Sequence, residues 1–276
     1  MKIVALIVLF MIMAFSLVTA IVPGSQSRGN NPVQGIQKEI SRSLNSVDDG
    51  LGSAFDRVEA NLPLPGKKNK AGEVRLLMDH TGVDFNDQDL PKSNFASSII
   101  SDAQFERALL DEAILEGAVG EETHFTRARM AGANLTAGAF AKSDFTGAEL
   151  REAVARATDF EKAVFTDGDI SFAALSGSNF DGAKMNGAYG IGAIFVDATL
   201  TNVDFRGGDF TGARFEMAKL RGAVFEGADL TKAVFDGANI YGTDFRGALN
   251  LTSEQLLTAC ANTETKLPEG VAAVRC

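Results

Sequence analysis

The sequence predicts an all-β solenoid of about eight laps, and three regularities predict it. First, every fifth residue from Phe85 to Phe245 is large and apolar, in a register that never slips. Of these 33 centres, 30 are Phe, Leu, Ile or Met; the exceptions are Gly120, Ala155 and Gly190. A period of five fits neither the helix nor the strand. Short fixed repeats mark a solenoid, whose units bury their apolar faces only by stacking on neighbours. Second, a small side chain, usually Ala, stands two residues before each centre, and only Gln88 breaks the rule. Third, ring and aliphatic centres separate when every fourth repeat is read together. One series reads Phe85, Phe105, Phe125, Phe145, Phe165, Met185, Phe205, Phe225 and Phe245, and the next, from Leu90 and Leu110, is mostly aliphatic. A lap of three repeats would mix the two. A lap of four lets like rings stack at the strand spacing of about 4.8 Å.

The motif itself is A-[DN]-[FL]-x-x, as in Ala133-Asn134-Leu135, Ala228-Asp229-Leu230 and Ala238-Asn239-Ile240. It resembles the pentapeptide repeat family throughout the stretch from Phe85 to Phe245. The resemblance implies a right-handed quadrilateral β-helix with four repeats per turn, in which the centre and the residue two before it point inward. The eight Phe of the first series are then core. Burial of each large centre is worth about 1.5–3 kcal/mol, and Ala at the second inward place lets the backbone close around it. Gly recurs three residues before the centre, as in Gly132, Gly147 and Gly182, where corners need unusual backbone angles. The three weak centres imply locally irregular packing, with gaps or a neighbour filling in, or else a bend or a groove where something docks.

The chain falls into five stretches. Residues 1–20 carry Lys2, an apolar run, and Val18-Thr19-Ala20 with small residues in the places a signal peptidase reads. Cleavage after Ala20 is one reading; an uncleaved anchor through residues 3–22, long enough to cross a bilayer, is the other. Both place the repeats across a membrane, in a periplasm, a thylakoid lumen or outside the cell. Residues 21–35 are a polar linker rich in Gly, Ser, Asn and Pro. In residues 36–80, Ile36, Ile40, Leu44, Val47, Leu51, Phe55, Val58 and Leu62 step by three and four, the pattern of an amphipathic helix. A basic loop at Lys67-Lys68-Asn69-Lys70 and a first strand at Val74 to Met78 lead in to the repeats. Residues 81–250 are the repeats. Residues 251–276 are expected to cap the last lap, with a helix opened by a capping box at Thr252 and Gln255 and carried on by Leu256, Leu257 and Ala259. Solenoids must cover their last lap.

Composition narrows the function. The net charge is −10, and the acidity is local, with 15 Lys and Arg against 26 Asp and Glu in residues 81–250. Such a body repels nucleic acid unless it imitates it. Sixteen of the 20 Phe are repeat centres and no Trp is present, so aromatic side chains are spent on the interior. Zinc needs clustered ligands, whereas His80, His124, Cys260 and Cys276 are scattered; both histidines are expected to be solvated. Asp84, Asn86 and Gln88 begin like a calcium loop but lack its later Gly and Glu. Asp167-Gly168-Asp169 reads as a corner. No catalytic triad, phosphate loop, metal site or cofactor site is expected, so no catalytic residue is assigned. The two cysteines, Cys260 and Cys276, suit a disulfide behind an export signal, with two free thiols as the alternative.

These features point to a non-enzymatic exported scaffold or assembly factor for an unknown protein partner. The family resemblance implies an alternative, an acidic DNA mimic, because certain cytosolic members resemble a duplex and bind DNA gyrase.

Overall fold

A computed structural model describes residues 78–276, all within one compact unit, Pro63–Cys276. The expected leader, linker, amphipathic helix and basic loop lie outside the described residues, as do all but the last residue of the expected first strand.

Each lap takes four repeats. Isolated parallel bridges join every residue just before a centre to its counterpart one lap later: Asp84 to Gln104, Gln104 to His124, and so on to Asp244. Three further columns run alongside, through Asp89, Asn94 and Asp79. Three backbone N–H groups of a typical repeat bond to adjacent laps. Phe85 N donates to Gln104 O at 2.7 Å, Asp87 N to Glu106 O at 2.9 Å, and Leu109 N to Gln88 O at 2.8 Å. A fourth closes the corner, as Gln88 N does to Phe85 O at 3.3 Å. The fifth, just after the centre, has no backbone acceptor, and this explains the Asp or Asn of the motif. Asn86 N donates to Asp84 Oδ1 at 2.9 Å, Thr146 N to Asp144 Oδ1 at 2.9 Å, and Thr231 N to Asp229 Oδ1 at 2.9 Å. A side chain thus completes a set of hydrogen bonds that the backbone leaves one short.

Corners are left-handed at their second residue. From Gly82 to Gly247, in steps of five, φ lies between 52° and 75°. The first corner residue is never positive, which makes these type II turns. More than half of the left-handed places carry a side chain, Phe172 and Met217 among them. Each such residue costs about 1–2 kcal/mol, offset by the hydrogen bonds on either side.

The centres and the small residues before them are almost all buried. The first-series rings stack at 4.8, 5.1, 4.9 and 4.7 Å from Phe85 to Phe165, and Phe205, Phe225 and Phe245 follow at 4.5 and 5.0 Å. Rings of other columns meet them edge-on, as Phe95 meets Phe85 at 5.6 Å. Gln88 is only half-buried, in the first lap described. Two of the weak centres are filled from the next lap. A Cβ on Gly120 would stand 2.8 Å from the Phe140 ring, and one on Gly190 would stand 2.5 Å from the Phe210 ring. Each ring also leans on the glycine two before it, Gly138 or Gly208. Ala155 is buried, and its carbonyl accepts a hydrogen bond from Ser178 Oγ at 2.5 Å. At five of the small inward places, Thr123, Ser143, Thr158, Ser178 and Thr243, a hydroxyl bonds a centre's carbonyl in the preceding lap. Thr123 reaches Ile100 O at 2.8 Å and Thr243 reaches Leu220 O at 2.8 Å.

Two expectations are corrected here. His80 is not solvated but buried, edge-on to Phe85 at 5.6 Å and Phe95 at 5.8 Å. It lies five positions before Phe85, so the register begins one repeat earlier and His80 occupies a centre. The C-terminal capping helix is not formed. The capping box closes, with Thr252 N donating to Gln255 Oε1 at 2.9 Å and Gln255 N to Thr252 Oγ1 at 3.4 Å. It encloses only one 3-10 turn, Glu254–Leu256. The chain then extends as β1, Cys260–Ala261, because the last regular lap needs partners: Cys260 N donates to Ala238 O and Ile240 N to Cys260 O. A helix would leave those groups unpaired. Gln255 Nε2 covers two more carbonyls, Leu230 O at 2.8 Å and Ala233 O at 2.7 Å.

Gly190→Ala is expected to cost about 1–3 kcal/mol by overpacking, and most of that cost should vanish in a Phe210→Leu background. Urea unfolding of the four proteins measures this; an equal cost in both backgrounds would show that the ring is not what occupies the site. Ala157→Gly, at φ 52°, is expected to gain about 1 kcal/mol by relieving a left-handed alanine. A lower urea midpoint would contradict the corner geometry.

Candidate interaction surfaces

The interior is filled by centres and their small partners, so sequence individuality lies outside, in the four bridge columns and the corners. In the first column, Asp84, Asp144, Asp204 and Asp244 alternate with Gln104, His124, Val164, Lys184 and Val224. The second carries Asp89, Glu149, Asp169, Asp209 and Asp229. The fourth is mixed, with Asp79, Ile99, Val119 and Asp159 among its members. The third runs Asn94, Ile114, Asn134, Val154, Ala174, Ile194, Arg214, Val234, with no acid at all. Sequence reasoning treated the acidity as uniform over the repeats and missed this division. Writing out the residue before every fourth centre would have exposed it.

Corner charges one lap apart face each other. Arg107 holds Asp87 at 2.7 Å and also pairs with Glu106, Lys142 holds Glu122 at 3.0 Å, and Lys92 holds Glu112 at 3.2 Å. All are exposed, a setting in which a pair is worth about 0–1 kcal/mol. At the C-terminal end a shallow depression of about 340 Å³ is lined by Val224, Glu226, Asp244, Arg246 and Gly247. There the Arg246 guanidinium holds the Asp244 carboxyl well below the usual carboxylate range, against a desolvation that pushes it up; Lys266 adds to the effect. Lys266 Nζ lies 3.1 Å from Asp244, which ties the tail to the last lap.

His124 is exposed on the first column and has no metal-ligating companions; among the described residues no group of three His, Cys, Asp or Glu could hold an ion. Asp84 and Asn86, at the start of the rejected calcium loop, are occupied with backbone N–H groups. Asp167 sits in a left-handed corner. Cys260 and Cys276 are joined in a disulfide, Cα–Cα 5.5 Å, beside the parallel pairing of β1 with β2, Val274–Arg275. Tyr241 Oη lies 3.3 Å from Cys260 Sγ. Ala20 lies outside the described residues. No helix among the described residues is long and apolar enough to cross a membrane.

The family model for pentapeptide repeats matches in eight copies, covering residues 81–207 and 209–247, more than half of the chain. The chain belongs to the pentapeptide repeat family. Among solved structures it is similar to HetL, a pentapeptide repeat protein involved in heterocyst differentiation regulation in the cyanobacterium Nostoc sp. strain PCC 7120. That match has 19% identity and a TM-score of 0.59, over 79% of this chain and 97% of HetL. At that identity the likeness speaks for the fold alone. It is also similar to QnrB1, a plasmid-mediated fluoroquinolone resistance protein, at 16% identity and a TM-score of 0.41, over 69% of this chain and 92% of QnrB1. A pentapeptide repeat protein from the Arabidopsis thaliana thylakoid lumen matches at 23% identity and a TM-score of 0.28, over 46% of this chain and 67% of that one. No curated protein sequence matches the chain.

Asp244→Asn keeps the acceptor for Arg246 N but removes the charge that Arg246 and Lys266 grip. Because the folded carboxyl is depressed below 3.8, its contribution is complete above that value and is lost as pH falls through the folded one. The variant is expected to melt below the parent at about pH 6, with the gap closing toward about pH 2. A gap that stays constant with pH would refute the assignment.

Proposed function

We propose that this protein is a non-enzymatic, exported interaction scaffold or assembly factor, a right-handed four-sided coil that offers its flat outer walls to a protein partner. The observation that carries the reading is the division of labour within each repeat. Two of five side chains fill the interior, one serves the backbone or faces outward from a column, and two stand at a corner. Such a body holds long, regular outward columns and little concave surface. Export is supported by residues 1–20, with their small residues at Val18 and Ala20, and by the Cys260–Cys276 disulfide, a bond that persists in oxidising compartments. The compartment this favours is a periplasm or a thylakoid lumen, with the chain either released after Ala20 or held by residues 3–22.

A second reading is favoured by one observation, the Asp and Glu residues of the first and second columns. A rod with two acidic sides suits a DNA mimic acting on a topoisomerase such as gyrase.

The readings part on location. Residues 1–30 fused to a reporter active only after export are expected to give activity, and affinity capture with the tagged full chain from native membranes is expected to return a protein partner. A silent reporter together with inhibition of gyrase supercoiling by the purified chain would overturn the scaffold reading in favour of the mimic.

A further inference from the structure

The geometry points to the third column as a self-association face, through which two copies of this chain pack side by side with their coils parallel. The inference rests on the four-sided reading above.

Charge selects the face. The repeats are strongly acidic, and acids stand in the first, second and fourth columns. A second copy brought against those sides meets like charge, which costs several kcal/mol when juxtaposed. Only the third column has no acid, and its middle, Val154, Ala174 and Ile194, is apolar. Beside it, on left-handed corners, Phe172 is 52% exposed and Met217 is 59% exposed, each large apolar side chain lying over the corner glycine of the next lap, Gly192 or Gly237.

The two corners that border this face complement each other. A two-fold axis parallel to the coil sets each lap against the same lap of the copy. The corner preceding the column then meets the corner following it. The Phe172 corner falls against the corner Ser176–Gly177, and the Met217 corner falls against Thr211–Gly212. At both glycines the place of a Cβ is open, with nothing within 4 Å. The corner Ile191–Gly192 falls against Val196–Asp197. Glu152 falls opposite Arg156 and Lys232 opposite Asp236. Glu152, Arg156 and Lys232 make no ion pair among the described residues, so each is available to a partner. Two laps run against the pattern: Arg214, already paired with Glu216, meets its own counterpart, and Asp111 and Glu112 meet Glu116. In the latter, Arg129 already holds Asp111 at 2.8 Å and Lys92 holds Glu112 at 3.2 Å. In this parallel register bulk meets space, apolar meets apolar and cation meets anion. Eight laps at about 4.8 Å and a side of about 14 Å bury on the order of 1,100 Å² in total, the lower end of a specific interface.

Sedimentation of the full chain tests the inference, across a concentration series, with far-UV circular dichroism to establish that each variant is folded. The parent is expected to form a dimer. Ala174→Asp, which places carboxylates face to face, is expected to abolish it. Arg156→Glu alone is expected to weaken it by about tenfold, since each dimer holds two such pairs. Adding Glu152→Arg is expected to restore it to within about threefold of the parent. Both sites of the charge swap are exposed, so the swap remains readable even where Ala174→Asp does not fold. A parent that stays monomeric, a dimer indifferent to Ala174→Asp, or an Arg156→Glu defect that Glu152→Arg leaves unrepaired overturns the inference. A monomer that still captures a different protein overturns it while leaving the scaffold reading in place. A dimer that captures nothing supports it and counts against the wider scaffold.

Discussion

Each repeat can place one large and one small side chain inside the coil, and the rest of the architecture depends on that restriction. A large centre with Ala before it fills its share of the interior with nothing left over. Where the centre shrinks to Gly120 or Gly190, a ring from the following lap takes the space. That ring fits only because its own small partner is also glycine. Volume is therefore balanced between laps rather than within them. Stacked rings at the strand spacing follow from the same constraint, since a ring lying flat against the next leaves room for a second column edge-on to it.

Hydrogen bonding imposes a second balance. Adjacent laps engage most backbone donors, the corner turn engages one more, and the Asp or Asn before the centre takes the last. Ser or Thr at five of the small inward places adds a bond from inside, reaching a carbonyl in the preceding lap. The hydroxyls of Thr123, Ser143, Thr158, Ser178 and Thr243 offset their burial in this way, whereas Ser93 Oγ, in the first lap described, is buried without a partner among the described residues. At the C-terminal end Gln255 performs for the last regular lap what a further lap would have done. The chain beyond it behaves as an irregular continuation of the coil rather than as a lid of a different kind.

Much of this was legible in the sequence, because a five-residue period and a sorting of rings at every fourth repeat admit few architectures. Phe85 to Phe245 could be assigned to the interior without coordinates. The role of His80 was not legible, since a histidine interrupts the apolar pattern and only burial against Phe85 and Phe95 reveals it as a centre. The terminal turn misled for a related reason. Its capping box is a local signal and did form, but the unpaired groups of Ala238 and Ile240, distant in sequence, decided what came next. The neutral third column was hidden by averaging, because total charge over the repeats says nothing about which side bears it. The filled gaps at Gly120 and Gly190 depend on contacts between laps, which a reading in steps of five does not weigh.

The ring that each glycine centre borrows fixes how such a chain can change length. Removing a single repeat between Gly190 and Phe210 would turn everything after it by a quarter of a circuit. Phe210 would then hang over the full centre Met185, and the open side at Gly190 would be left beneath Phe215, whose small partner is Ala213 rather than glycine. Gain or loss of four repeats together keeps every centre on its own column. Growth of this molecule is thus quantised in whole circuits, and its length is a record of circuits added rather than of residues inserted.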